Sequence, residues 1–86
     1  RAFAAPPSAP ALLTQAWRFE ATHWRGPLAL GPFEALLVER LRAGDTLARA
    51  IEMVSAAHPV DPGDLTVLGL ACLHRLVEQG YFHPSS

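Results

Sequence analysis

Four histidines (His23, His58, His74 and His83) and one cysteine, Cys72, are the side chains with metal or nucleophile chemistry, and their spacing decides against both. A structural zinc site needs four ligands, usually arriving as closely spaced pairs. Only Cys72 and His74 are near each other, and a gap of two on a helix turns the side chains apart. Cys72 reads as a small core residue. Serines and aspartates are present, but there is no nucleophile elbow, no Cys-His signature and no glycine-rich phosphate loop. Asp45, Asp61 and Asp64 are accounted for as helix caps. The expectation is no catalytic residue, no metal and no cofactor in this chain.

A different chemistry is available to aromatic side chains with arginines beside them, which are enriched at protein interfaces. Trp17, Phe19 and Trp24 lie among Arg18 and Arg25, and Tyr81-Phe82 closes the chain. Arg18, Trp24, Arg25 and Arg75 are therefore the candidate partner-binding residues. Trp24 falls at a turn and is the aromatic expected to be exposed. The competing reading places Trp17, Phe19 and Phe82 in the core, because a small domain needs its aromatics inside.

Those residues need elements to hold them. Eighty-six residues make one small domain, half of it apolar, with a net charge of −1. A chain of that size buries a modest share of its surface, so help from a partner is expected. All seven basic residues are arginines, spread along the chain and offset by eight carboxylates. That is not the concentrated basic face of a nucleic-acid binder. No apolar run approaches the ~20 residues of a membrane span. A lone cysteine cannot form an internal disulfide and suits a reducing cytoplasm. Arg1 is not a start methionine, so a fragment or processed chain is expected.

Residues 1–10 read as a flexible, extended Ala/Pro-rich linker, residues 11–82 as the folded domain and residues 83–86 as a frayed tail. Ala11 to Ala16 has room for one helical turn. Trp17 to Ala21 alternates in period two and predicts a half-buried strand, with a continued helix as the alternative. Arg25-Gly26-Pro27 signals a turn, and Leu28 to Leu30 a short second strand. Pro32 to Ala43 predicts a helix with Gly31 as N-cap, Phe33, Leu36, Leu37 and Leu41 as its apolar stripe, and Gly44 as its stop. A second helix spans Thr46 to Ala57, capped by Asp45 or Thr46, with Leu47, Ala50, Ile51 and Val54 buried. A third starts at Asp61-Pro62, buries Leu65, Leu68, Cys72 and Leu76, widened by Leu70, Leu73 and Val77, and stops at Gly80. Tyr81-Phe82 either tucks against the core or pairs with the ribbon. The layout is mostly α with a small β-ribbon, a winged-helix or helix-turn-helix-like three-helix domain.

In a DNA-binding module the third helix would be the reader. Its start carries Asp61 and Asp64, which repel phosphates, and Arg75 is the only arginine within it, so the sequence argues against DNA.

Two resemblances bear on function. The run Thr22-His-Trp-Arg-Gly-Pro-Leu-Ala-Leu-Gly-Pro-Phe-Glu-Ala-Leu-Leu-Val-Glu-Arg-Leu-Arg-Ala-Gly44 resembles the C-terminal region of bacterial SAM-dependent methyltransferases that carry a regulatory domain. Thr22, Arg25, Leu30, Pro32, Leu36, Leu37, Leu41 and Gly44 fit that pattern. Gly26 stands where histidine is usual, and Ala43 stands where aspartate is. Ser8-Ala-Pro and Gln15-Ala16 extend the likeness upstream. Residues Phe33 to Phe82 also resemble the PqqD-like peptide-recognition fold, through Gly44, Thr46, Leu47, Val60, Asp61, Pro62, Leu73, Leu76, Gly80 and Tyr81. The first resemblance implies a noncatalytic accessory domain, with SAM binding and chemistry in an upstream domain. The second implies a stand-alone leader-peptide binder. The resulting expectation is a cytoplasmic interaction module that binds a protein, a peptide or a second copy of itself, with a DNA-binding regulator as the rival.

Overall fold

The computed structural model describes residues 8–20 and 30–85. In chain order the elements are α1 (Ala9–Thr14), β1 (Trp17–Phe19), α2 (Pro32–Arg42), α3 (Leu47–Ala57), α4 (Pro62–Glu78) and β2 (Phe82–Pro84). The domain is mostly helical with a small two-stranded antiparallel sheet, as the sequence predicts.

The first helix begins earlier than expected. Ser8 caps it, its Oγ accepting from the Ala11 N–H at 3.4 Å, and Pro10 sits in the first turn. Proline there loses no hydrogen bond, since first-turn N–H groups have no helical partner. Ser8 to Pro10 thus belong to a helix start and not to an extended linker. Residues 1–7 lie outside the described residues. Leu12 is buried, and its carbonyl accepts from the Trp17 indole N–H at 3.4 Å.

The ribbon joins the two ends of the described chain. Trp17 pairs with Pro84, Arg18 with His83, and Phe19 with Phe82. The Ser85 N–H donates to the Ala16 carbonyl at 3.1 Å, and Glu20 N–H to Tyr81 at 2.8 Å. His83 and Pro84 are therefore paired strand, and the expectation that the tail frays from His83 is corrected. The cause is Phe82: its side chain is fully buried and locks the strand against the core. Trp17 to Phe19 is strand, as alternation predicts. The expected second strand at Leu28 to Leu30, and the turn before it, fall mostly on residues 21–29, outside the described residues; Leu30 itself is in no strand.

Helices α2 and α4 end alike. Gly44 (φ 103°) and Gly80 (φ 82°) take the left-handed conformation after each helix. The Gly44 N–H donates to Leu41 and Asp45 N–H to Arg40; Gly80 N–H donates to Val77 and Tyr81 N–H to Leu76. Each pair is a Schellman motif that satisfies the last carbonyls. The second directs the chain straight into Phe82. Helix α3 starts on Thr46, whose hydroxyl accepts from the Arg49 N–H, and α4 on Asp61, whose carboxylate accepts from the Asp64 N–H. Asp45 is not a cap. Its carboxylate takes two bonds from Arg40, from Nη2 at 2.7 Å and Nε at 2.8 Å.

Leu37, Val38 and Leu41 of α2, Leu47, Ala50, Ile51 and Val54 of α3, and Leu65, Cys72, Leu73 and Leu76 of α4 form one core with Leu12, Trp17 and Phe82. Among the described residues no polar or charged residue is fully buried. Val38 takes the buried place expected of Leu36, which is half-buried. Gly69 is also buried, at the crossing of α4 with Leu37 and Leu47.

Candidate interaction surface

Arg18 stands exposed on β1, directly across the ribbon from His83. The period-two pleat turns Trp17 and Phe19 to the core side and Arg18 away from it. Arg75 lies in the last turns of α4, with Nη2 3.7 Å from Oε2 of Glu34. Glu34 is held from its own helix as well, since its Oε1 accepts from the Gly31 N–H at 2.8 Å, half of a capping box. Arg75 is thus partly engaged in joining α4 to α2. Trp24 and Arg25 lie outside the described residues. Arg18 and Arg75 sit on different elements, and among the described residues no ion-pair partner joins them into one site.

Two arginines have structural roles that the sequence does not announce. The Arg42 guanidinium carbon sits 4.5 Å from the centre of the Phe19 ring, a cation–π contact between α2 and β1. Phe19 in turn meets Phe82 edge-on, with ring centres 5.4 Å apart. Arg40 is occupied by Asp45.

Among the described residues no three histidine, cysteine or acidic groups are placed to hold an ion together. His74 Nδ1 is 3.5 Å from Glu78 Oε1, and His58 packs edge-on against Phe33. Cys72 is buried, and burial pushes its thiol up from the ordinary range, Glu34 adding to the effect while Arg75 opposes it. A thiol held protonated is a poor nucleophile. The start of α4 presents Asp61 and Asp64, both exposed.

The surface that sequence reasoning missed is the outer side of α4. From Leu65 to Leu73 this helix has one polar side chain, Thr66, whose hydroxyl donates to the Pro62 carbonyl at 2.8 Å. A helix apolar all round is normally covered on all sides. Here the core covers one side only. Val67 is 71% exposed, Ala71 a turn later is exposed, and Leu70 is half-buried. The signal was available: the stripe on which Leu65, Cys72 and Leu76 lie leaves Val67 and Ala71 facing the opposite way. Met53 on α3 is the other exposed large apolar side chain among the described residues.

Comparison of the chain with family models, with curated proteins and with solved structures finds no match in any of the three. No helix among the described residues is long and apolar enough to cross a membrane.

Proposed function

We propose that this chain is a noncatalytic accessory domain that binds a protein or peptide partner, or a second copy of itself. In this reading it works as the C-terminal part of a larger cytoplasmic enzyme such as a SAM-dependent methyltransferase. The observation that carries the reading is the exposed apolar middle of α4, centred on Val67. Isolated exposed apolar side chains are ordinary; Val67 and Ala71, exposed one turn apart on the longest helix with half-buried Leu68 and Leu70 beside them, form a small apolar patch of the kind a partner covers. The acidic start of α4 supports a protein partner over DNA. The resemblance of Thr22 to Gly44 to regulatory regions of methyltransferases supplies the class of parent.

The experiment has two stages. The open reading frame upstream of Arg1 is read first, and the domain found there is then titrated with this chain in trans. Binding that weakens on Val67→Asp, with helical circular dichroism unchanged, supports the accessory role. An upstream sequence with no enzyme domain removes the methyltransferase reading. An upstream domain bound equally well by the variant removes the α4 face as the contact with that domain.

A further inference from the structure

The outer side of α4 carries more order than an apolar patch. Asp64, Val67, Ala71, His74 and Glu78 follow one another at intervals of three and four, the spacing of a coiled-coil seam. Asp64, Val67, Ala71 and Glu78 are exposed, and His74 is half-exposed. The row therefore runs the length of the helix on the side away from the core.

A seam of this kind can meet a second helix in two directions, and its charges choose between them. Two parallel copies would set Asp64 against Asp64 and Glu78 against Glu78, which repel. Two antiparallel copies, related by a twofold axis at the level of Gly69, would set Val67 against Ala71 and Asp64 against His74, with Arg75 beside it. Ala71 is small enough to receive Val67 from the facing helix. The pattern is self-complementary, as a twofold interface requires: each residue of a pair finds the other on the second copy. His74 already lies 3.5 Å from Glu78. In the pair it would stand between that carboxylate and the Asp64 of the facing helix.

We propose that the outer seam of α4 is a homodimer interface in which two copies pack antiparallel through Val67 and Ala71, flanked by Asp64–His74 contacts. The proposal rests on the interaction-domain reading above and names its partner. A helix of this length offers one face about 25 Å long. Such a face, with two apolar side chains at its centre, falls short of the ~1,200 Å² of a standard interface, so the dimer is a weak, transient one.

Sedimentation equilibrium of the full chain from about 5 to about 500 μM reads this directly, as a monomer–dimer equilibrium centred in that range. Val67→Asp raises Kd at least ~10-fold, the penalty of setting a carboxylate in an apolar contact. Asp64→Arg also raises Kd, because the new guanidinium would face Arg75 and the Asp64–His74 contact is lost, and the double change Asp64→Arg with His74→Asp lowers it again, because arginine and aspartate then face each other. Circular dichroism checks that each variant stays folded, and the exposure of Val67 means it should. A chain monomeric at about 500 μM overturns the proposal. So does a dimer that Val67→Asp leaves unchanged, or a double variant no tighter than Asp64→Arg alone. Each of these leaves the accessory reading to its own test, binding of the upstream domain in trans.

Discussion

Leu47 Cδ1 lies 3.0 Å from the point where a Cβ on Gly69 would stand, and Leu37 Cδ1 lies 3.3 Å from it. Glycine is here for close approach and not for a turn, since its backbone is ordinary helix. Both leucines are fully buried and have little room to move away. Gly69→Ala sets a helix-propensity gain of about 1 kcal/mol against overpacking of similar size. It should change stability by less than ~1 kcal/mol. Gly69→Val adds two more carbons at the same crossing and should cost about 3 kcal/mol. Urea denaturation of the two variants checks the contrast. A Gly69→Val protein as stable as the parent would mean α4 can slide away from α2 and α3.

Phe82 closes the domain. Its ring is 1% exposed, and its strand brings the chain end back to β1. Phe82→Ala should cost about 3–5 kcal/mol, a large part of the 5–15 kcal/mol typical of a natural domain. Deleting residues 82–86 removes the ring and the whole of β2 together, and should leave the chain without a cooperative thermal transition. His83→Ala keeps the ring and the backbone pairing, so its cost should stay below about 1 kcal/mol. Thermal melts followed by circular dichroism separate the three. Equal loss for Phe82→Ala and His83→Ala would show that the strand, and not the ring, holds the end in place.

The helices were legible in the sequence because their signals are local. Gly31-Pro32, Thr46 and Asp61-Pro62 mark starts, and Gly44 and Gly80 mark stops, each within a residue of the observed boundary. The pairing of the ribbon was legible only as one of two options for Tyr81-Phe82. It depends on a contact between positions about sixty residues apart, and no local pattern chooses a distant strand partner. Pro10 misled by composition: proline resists the helix interior, but in the first turn it is accommodated. For the surface, Arg18 was correctly placed on a strand face and Arg75 on α4. The Val67 stripe was not singled out, because counting apolar positions on a helix reveals a core face more readily than a second, uncovered one. Arg42 could not be paired with Phe19 before α2 and β1 were known to touch.

That contact should be measurable. Arg42 is exposed, and its guanidinium is over the Phe19 ring at 4.5 Å. A cation over an aromatic face at an exposed site contributes about 0.5–1 kcal/mol. A double-mutant cycle of Arg42→Ala and Phe19→Leu should return a coupling energy in that range. Because Phe19 also meets Phe82, the Phe19→Leu change alone should cost more than Arg42→Ala alone. A coupling energy near zero would mean the guanidinium spends its time in water. Salt should weaken the coupling little, since attraction to a ring is short in range compared with that between two ions.

Cys72 offers a pH-dependent test of the same core. Burial pushes its thiol up from the ordinary range, and the nearby Glu34 carboxylate reinforces the shift. The folded state therefore holds the thiol proton more tightly than the unfolded chain does. Below the unfolded pKa both states carry the proton and nothing is lost. Above it the unfolded chain releases its proton while the folded one retains it, so stability falls as pH rises through the alkaline range until the folded thiol ionises. Cys72→Ala removes this slope at the cost of a small cavity. The parent should therefore lose more stability than Cys72→Ala between pH 8 and pH 10, measured by urea midpoints (pH values bracketing the ordinary thiol range of about 8.5). At pH 8 a thiol reagent such as Ellman's should label Cys72 only through opening of the fold, with labelling accelerated by urea. Rapid labelling of the native chain, or parallel pH profiles for parent and variant, would show the thiol open to solvent and the packing of α4 against α2 looser than the structure has it.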